Sequence, residues 1–213
     1  VLPADTRLED ELSMAARLHV SRPTARQALQ RLVDRGLLTR RRGVGTIVSP
    51  RQVHRPVELT SLMKDLVEAG HKVRTTIQRY EAHPATEAEA DALKIAEGTL
   101  IVYIERTRFT NDEPIAVLTN LIPADIAPAM QELESGSLYD LMRERGVTLA
   151  SARQVIGART ATAKEAKLLS EHRGAALLTT QRTTYDPSGR IVEYGDHIYR
   201  ASRYSFEASL FAQ

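Results

Sequence analysis

Cysteine is absent from the 213-residue chain, which excludes disulfides and thiolate metal sites and fits a reducing compartment. No apolar run approaches the length of a membrane span, and no signal-peptide pattern opens the chain, so a cytoplasmic protein with no membrane partner is expected. The six histidines (His19, His54, His71, His83, His172 and His197) are scattered, with no pair at helical ligand spacing, and no metal site or cofactor is expected. Lysine is missing from the first 55 residues, although 11 arginines and 5 acidic residues fall there, a net of +6. The remainder carries 18 basic and 22 acidic residues, a net of −4. The overall charge of +2 therefore hides a basic head on an acidic body, and the head uses only arginine, the cation that forks onto phosphate and guanine edges. With 42% apolar and 26% charged residues, the chain is otherwise an ordinary globular protein of one or two domains.

In the head, Leu12, Ala15, Ala16 and Leu18 recur near helical spacing over residues 10–18. After a tight connection at His19-Val20, Ser21 reads as an N-cap and Pro23 falls in a first turn, where a missing N–H costs little. Ala25, Ala28, Leu29, Leu32 and Val33 form the inner stripe of the next helix, and Gly36 ends it. Arg22, Thr24, Arg26, Gln27 and Arg31 are left outside, where such side chains can reach phosphates and base edges. Two short β-prone runs then flank a basic, glycine-containing tip, residues 37–48, which predicts a hairpin. Gly43 and Gly45 lack the third glycine or the Lys-Ser/Thr that a phosphate-binding loop would need. Helix, turn, helix and basic hairpin together read as a winged helix-turn-helix.

Residues 49–57, with Pro50 and Pro56, read as a linker. Beyond it, helices and strands alternate. A helix over 60–69 precedes a strand over 73–82, and Thr86 and Glu89 form a capping box. Strands over 100–110 and 115–122 meet at Asn111-Asp112-Glu113. A helix over 137–145, a strand over 151–161, a second capping box (Thr162 with Glu165) and a hairpin over 177–199 complete an α+β body with a mainly antiparallel sheet. Arg106 and Arg108, two apart on a strand, project from one face and could clamp an anion, although spacing alone leaves surface ion pairs equally open.

Two resemblances follow from these residues. The head, from about Arg7 to Val48, resembles the DNA-binding domain of the GntR superfamily of bacterial transcription regulators. The match is carried by Leu8, Glu11, Val20-Ser21-Arg22, Arg26-Gln27-Ala28-Leu29, Gly36-Leu37-Leu38 and Arg41-Arg42-Gly43-Val44-Gly45-Thr46. It implies that Arg22 and Arg26 approach bases and that the wing glycine approaches the minor groove. Ser21, Thr24, Gln27, Arg31, Arg41, Arg42, Gly43, Gly45 and Thr46 complete the expected DNA-binding set. Leu12 stands where many relatives carry arginine, and Pro23 replaces a more usual Thr or Met. The family domain also begins with a further helix, which would lie upstream of Val1. The body resembles the effector-binding UTRA domain of the HutC branch, a chorismate-lyase-like fold. That match rests on Glu105-Arg106-Thr107-Arg108, Asn111-Asp112-Glu113-Pro114-Ile115, Gly136-Ser137-Leu138-Tyr139, Arg182-Thr183-Thr184-Tyr185-Asp186, Val192-Glu193-Tyr194 and the run Tyr199 to Tyr204.

This second resemblance implies that Arg106 and Arg108 hold the phosphate or carboxylate of a small anionic effector, with Ser137, Tyr139, Glu193 and Tyr199 around it. Ser137 could equally be an N-cap, and Tyr199 core. Leu118 replaces a glutamate common in amino-sugar-phosphate sensors, so an amino sugar is not the expected effector. The expectation is a non-enzymatic, nucleoid-associated transcription regulator, a repressor. It binds a double-stranded DNA operator as a homodimer whose bodies pair through strands. Its modules are residues 1–49 (winged helix-turn-helix), 50–57 (linker) and 58–213 (effector binding and dimerisation). Two alternatives are a DNA-tethered enzyme of chorismate-lyase-like fold, against which no nucleophile–base motif is present, and a non-specific nucleic-acid binder.

Overall fold

The structure, a computed structural model, describes residues 6–34, 38–41, 45–48, 53–56, 59–68 and 70–207; for Asp34, Thr39, Arg41 and residues 53–56 it describes the backbone alone. The chain divides into two compact units, Val1–Val53 and His54–Gln213. No helix among the described residues is long and apolar enough to cross a membrane.

In the first unit, α1 (Glu11–Arg17) starts where Asp10 turns its carboxylate onto the backbone N–H groups of Leu12 and Ser13, both at 3.0 Å. His19 takes a left-handed φ of 53°, which closes the connection in so few residues. The Ser21 hydroxyl then accepts the Thr24 N–H at 3.2 Å, as an N-cap does, at the head of α2 (Arg22–Asp34). Ala25 and Leu29 of the expected inner stripe are buried and Val33 is half-buried, but Ala28 and Leu32 are exposed. Among the described residues α2 packs on α1 and on β1 (Leu38–Arg41), and these cover a narrower arc than the apolar stripe spans. The strands β1 and β2 (Gly45–Val48) form the expected antiparallel hairpin, with Thr39 opposite Ile47 and Arg41 opposite Gly45. The chain before α1 adds an edge to it: the Leu8 N–H donates to the Thr46 carbonyl and the Val48 N–H to the Thr6 carbonyl, each at 2.9 Å. Gly36, and the Arg42-Gly43 tip, lie outside the described residues.

The stretch expected to be a linker contains a strand among its described residues. Within it, β3 (Val53–Pro56) pairs with a strand near the far end of the sequence, a long-range partner that no local pattern announces. The second unit continues with α3 (Leu62–Glu68), β4 (Val73–Pro84), α4 (Glu87–Leu93), β5 (Leu100–Thr110), β6 (Glu113–Pro123), α5 (Met130–Ser135), α6 (Leu138–Glu144), β7 (Ser151–Thr160), α7 (Ala163–Leu168), β8 (Ala176–Tyr185), β9 (Ile191–Arg200) and β10 (Tyr204–Glu207), the partner of β3. Six strands form one antiparallel sheet in the order β4-β5-β6-β9-β8-β7. The α+β expectation holds. The helix α5 and the strand β10 were not expected from the sequence.

The β5–β6 turn shows how the sequence aims the sheet. Thr110 sits opposite Glu113, so only Asn111 and Asp112 span the turn, both at positive φ (49° and 66°). These are the two non-glycine residue types that tolerate it best. The resulting register places Arg106 opposite Leu118 and Arg108 opposite Ala116. One face of the sheet packs Val102, Ile104 and Ile122 against Leu133 of α5 and Leu138, Leu141 and Met142 of α6. On the other face α4 covers Ile101 and Leu121, and α7 covers Val117, Leu177 and Ile198. Tyr199 stacks on Tyr204 with ring centroids 4.3 Å apart, which fastens β10 to the sheet.

Both expected capping boxes form. At the second, Glu165 accepts the Thr162 N–H at 2.9 Å and a two-pronged pair of bonds from Arg159 at 2.8 and 2.6 Å. The Arg159 bond, helped by those of Thr162, lowers the Glu165 carboxyl to about 2 against the cost of burial. A depressed folded-state value contributes stability above the ordinary carboxylate range and loses it as pH falls toward 2. Glu165→Gln should therefore lower the denaturation midpoint at pH 6, with the difference from wild type closing between pH 4.5 and 2. A urea-midpoint series across that range checks it, and a pH-independent difference would contradict the linkage.

Candidate functional site

Strand alternation sends Arg106 and Arg108 to the same face of β5. Both guanidiniums are buried, at 2% relative exposure each, rather than lying on the surface. Among the described residues neither forms an ion pair, so the surface-pair alternative fails. An Arg106 terminal nitrogen donates to Asn120 Oδ1 at 2.7 Å, and one from Arg108 donates to the Thr75 hydroxyl. Among the described residues Arg106 Nε and Nη1 and Arg108 Nε meet no acceptor. Burial pulls the Arg106 guanidinium down to about 10 despite the attraction of Glu193, and it pulls Arg108 down to about 9 with the added repulsion of Arg106. Both remain cationic at neutral pH. Charge held out of water without acceptors is costly, and an anion that accepts from those N–H groups relieves that cost.

The two arginines line a cavity of about 410 Å³ of empty space, its open mouth included. Leu118 and Asn120 of β6, Arg182 of β8 and His197 and Tyr199 of β9 complete its floor. Leu138 and Tyr139 of α6 form one wall, and Thr60 to Met63, leading into α3, border it. Of the expected effector-site residues, Arg106, Arg108, Tyr139 and Tyr199 therefore line one cavity. Ser137 is buried and accepts the Asp140 N–H at 3.4 Å, capping α6 beside the wall. Glu193 lies one layer behind. It is fully buried and accepts from Asn120 Nδ2 at 2.6 Å, the Thr184 hydroxyl at 2.7 Å and the Tyr139 hydroxyl at 3.2 Å. Burial pushes its carboxyl up, against the pull of those bonds and of Arg182, and burial with the charge of Glu193 drives Tyr139 up to about 12.

Asn120, Arg182 and His197 were not expected at the site. Arg182 belongs to a run that carries the resemblance to the UTRA domain, and the signal that could have found it is alternation: Arg182 and Thr184 sit opposite Gly195 and Glu193. Gly195 itself is required. A Cβ there would lie 2.5 Å from Glu193 Oε1 and 2.6 Å from His197 Nε2. A groove on the opposite face of the sheet differs in its chemistry, since there Arg159 pairs with Glu165 and Lys164 approaches Glu105 at 3.8 Å.

In the first unit Arg22, Thr24, Arg26, Gln27 and Arg31 are all exposed on α2; Gly45 is exposed and Thr46 half-buried on the hairpin. Gly45 takes a φ of 106°, close beside the Arg7 side chain. Glu11 approaches Arg40 at 3.4 Å and Arg22 at 3.9 Å, so one carboxylate links α2 to the hairpin. Arg40 was not among the expected residues. Leu12 is 65% exposed. The Arg41 side chain, Arg42 and Gly43 lie outside the described residues.

Residues 1–48 match the gntR family of bacterial regulatory proteins, and residues 68–205 match the UTRA domain. Over 208 residues the chain is 34% identical to the HTH-type transcriptional repressor NagR of Bacillus subtilis, covering 96% of this chain and 86% of that one. It is 28% identical to the histidine utilization repressor of Klebsiella aerogenes, over 94% and 84% of the two. The crystal structure of PhnF from Mycobacterium smegmatis superposes with a TM-score of 0.87 at 25% identity, over 100% of this chain and 95% of that one. The chain belongs to the GntR family, in the HutC subfamily, whose second module is a UTRA domain. It is a DNA-binding transcription regulator with a domain for a small-molecule effector, and not an enzyme.

Gly195→Ala should destabilise the second unit by about 1–3 kcal/mol, because neither Glu193 nor His197 can withdraw from a packed floor without losing contacts. Chemical denaturation checks this, and an unchanged midpoint would show that the floor yields freely.

Proposed function

We propose that the protein represses transcription from a two-fold-symmetric operator as a homodimer, and that a small phosphorylated or carboxylated metabolite modulates it. The observation that carries the reading is the pair of buried, acceptor-poor guanidiniums, Arg106 and Arg108, on the floor of one cavity. Tyr139 and Tyr199 flank the anion, Glu193 holds Tyr139 and Asn120 in place, and Ser137 fixes the start of α6. Leu118 on the floor offers no partner for an ammonium, which argues against an amino sugar. The relatives named as repressors support the sign of regulation.

In this reading residues 1–49 bind DNA, 50–57 connect, and 58–213 bind effector and dimerise. Two copies of α2 enter successive major grooves roughly 34 Å apart. Arg22 and Arg26 read base edges, and Ser21, Thr24, Gln27 and Arg31 reach phosphates and neighbouring edges. The wing residues Arg41, Arg42, Gly43, Gly45 and Thr46 address the minor groove. The exposure of that face of α2 supports this. In this reading the signal leaves the cavity through Tyr199, which lines it and stacks on Tyr204 of β10, the partner of β3. Effector binding changes DNA affinity to the extent that it favours one arrangement of these parts over another.

Arg26→Ala should cost about 1–3 kcal/mol in operator binding and relax sequence preference, as read by gel-shift titration against competitor duplex. Unchanged affinity and specificity would refute the assignment of α2, and equal binding to any duplex by the wild type would favour a non-specific binder. Arg106→Ala should leave operator affinity intact and abolish the response to a panel of phosphorylated and carboxylated metabolites in the same assay. A variant that still responds normally would refute the clamp.

A further inference from the structure

Leu12 is the most exposed of the large apolar side chains among the described residues, at 65%. It does not belong to the packed stripe of α1. Glu11, Met14 and Ala15, at helical positions i, i+3 and i+4, are half-buried or buried, and Leu18 prolongs that stripe. Leu12 stands about 100° around the helix from Glu11 and about 200° from Met14, among the exposed Ser13, Ala16 and Arg17. It is therefore not a core residue left uncovered. Its surroundings are those of the arginine-bearing surface. Glu11, directly beside it, approaches Arg22 of α2 and Arg40 of the hairpin. The acids around it are already engaged. The Asp10 carboxylate accepts the N–H groups of Leu12 and Ser13 and the Ser13 hydroxyl, all at 3.0 Å, and Glu9 accepts from Arg17 Nε at 2.7 Å. An apolar side chain thus stands out from a surface whose neighbouring charges are arginines and occupied carboxylates.

We propose that Leu12 is a specificity-determining residue for the operator: it packs against the 5-methyl group of a thymine in the major groove, next to the base pairs addressed by Arg22. The inference rests on the DNA-reading role given to α2 and adds a second element, α1, to that readout. The chemistry of the side chain leaves little else for it to do on DNA. Leucine carries no donor for a phosphate and neither donor nor acceptor for a base edge, so what it gains on a duplex is the burial of apolar surface. In the major groove the C5-methyl of thymine is the apolar group that a base pair displays. Burial there distinguishes a thymine from the other three bases, a reading that the polar side chains of α2 do not supply. The place is consistent with this. Through Glu11 the first turn of α1 is held to both α2 and the hairpin, so a duplex laid against Arg22 and Arg40 passes beside Leu12.

The test starts from a preferred duplex, selected from random sequences by the full chain. Replacing its thymines one at a time by deoxyuridine removes the methyl group and nothing else. At one thymine of a half-site the replacement should weaken wild-type binding about fourfold, the worth of one buried methyl group. In Leu12→Ala the same replacement should have no effect, while circular dichroism stays that of the wild type, as the exposure of the residue allows. A selection repeated with Leu12→Arg should return guanine in place of that thymine, because a guanidinium forks onto the O6 and N7 of guanine. Equal loss of affinity by Leu12→Ala for the thymine and deoxyuridine duplexes, or a Leu12→Arg selection identical to that of the wild type, would overturn the assignment. The two readings fail differently. A preferred sequence that relaxes in Arg26→Ala, but whose methyl groups are all indifferent to Leu12, refutes the thymine contact alone. No preferred sequence at all refutes both.

Discussion

Glu193 is the buried carboxylate around which the second unit is arranged. It receives hydrogen bonds from β6 through Asn120, from β8 through Thr184 and from α6 through Tyr139. Asn120 passes the constraint to Arg106, and Tyr139 accepts from Arg182 at 3.4 Å. One acid therefore sets the positions of two of the three guanidiniums that face the cavity, without neutralising either by direct contact. Removing a buried, multiply bonded carboxylate would leave several donors stranded, which is why such networks behave as a unit rather than as a sum of pairs. Gly195, directly beside Glu193 on the floor, is part of the same constraint, because the room the carboxylate occupies exists only where no side chain stands.

The local signals in the sequence translated almost directly into structure. Two capping boxes, the Asn111-Asp112 turn, the Ser21 cap and the basic hairpin depend on neighbours within a few residues, and each formed where its residues stood. Features set by distant partners were not legible. The strand β3 sits in a proline-flanked stretch that reads as linker, and only its partner β10, some 150 residues later, makes it a strand. The helix α5 has an alanine N-cap with no side-chain cap bond, so the usual start signal is missing. Spacing alone could not decide between a ligand clamp and surface pairs for Arg106 and Arg108; the resemblance favoured the clamp, and burial removes the surface reading. Asn120, Arg182 and His197 come from three other strands, and only the register that brings those strands together places them at the same floor.

The first unit shows the opposite balance of forces. Among its described side chains the arginines are all exposed, and the buried apolar residues are Ala15, Ala25, Leu29, Leu38 and Ile47. Positioning here depends on weak surface pairs. Glu11, between Arg22 and Arg40, restrains two arginines by a solvent-accessible carboxylate, an interaction of at most about 1 kcal/mol that salt screens. Such pairs yield readily to a competing anion, whereas Arg106 and Arg182 of the cavity are held through a buried network.

The acceptor-poor guanidiniums have a consequence for how the effector can be found. Any solute that binds the folded second unit and not the unfolded chain raises its melting temperature, by about 2.7 kcal/mol of added stability at a hundred times its dissociation constant. Because Arg106 and Arg108 sit desolvated, an anion seated on them would restore interactions that folding removed, and the gain in heat resistance would grow with its concentration. The protein is thereby its own assay: a library of metabolites can be ranked by melting curve alone, with no DNA present.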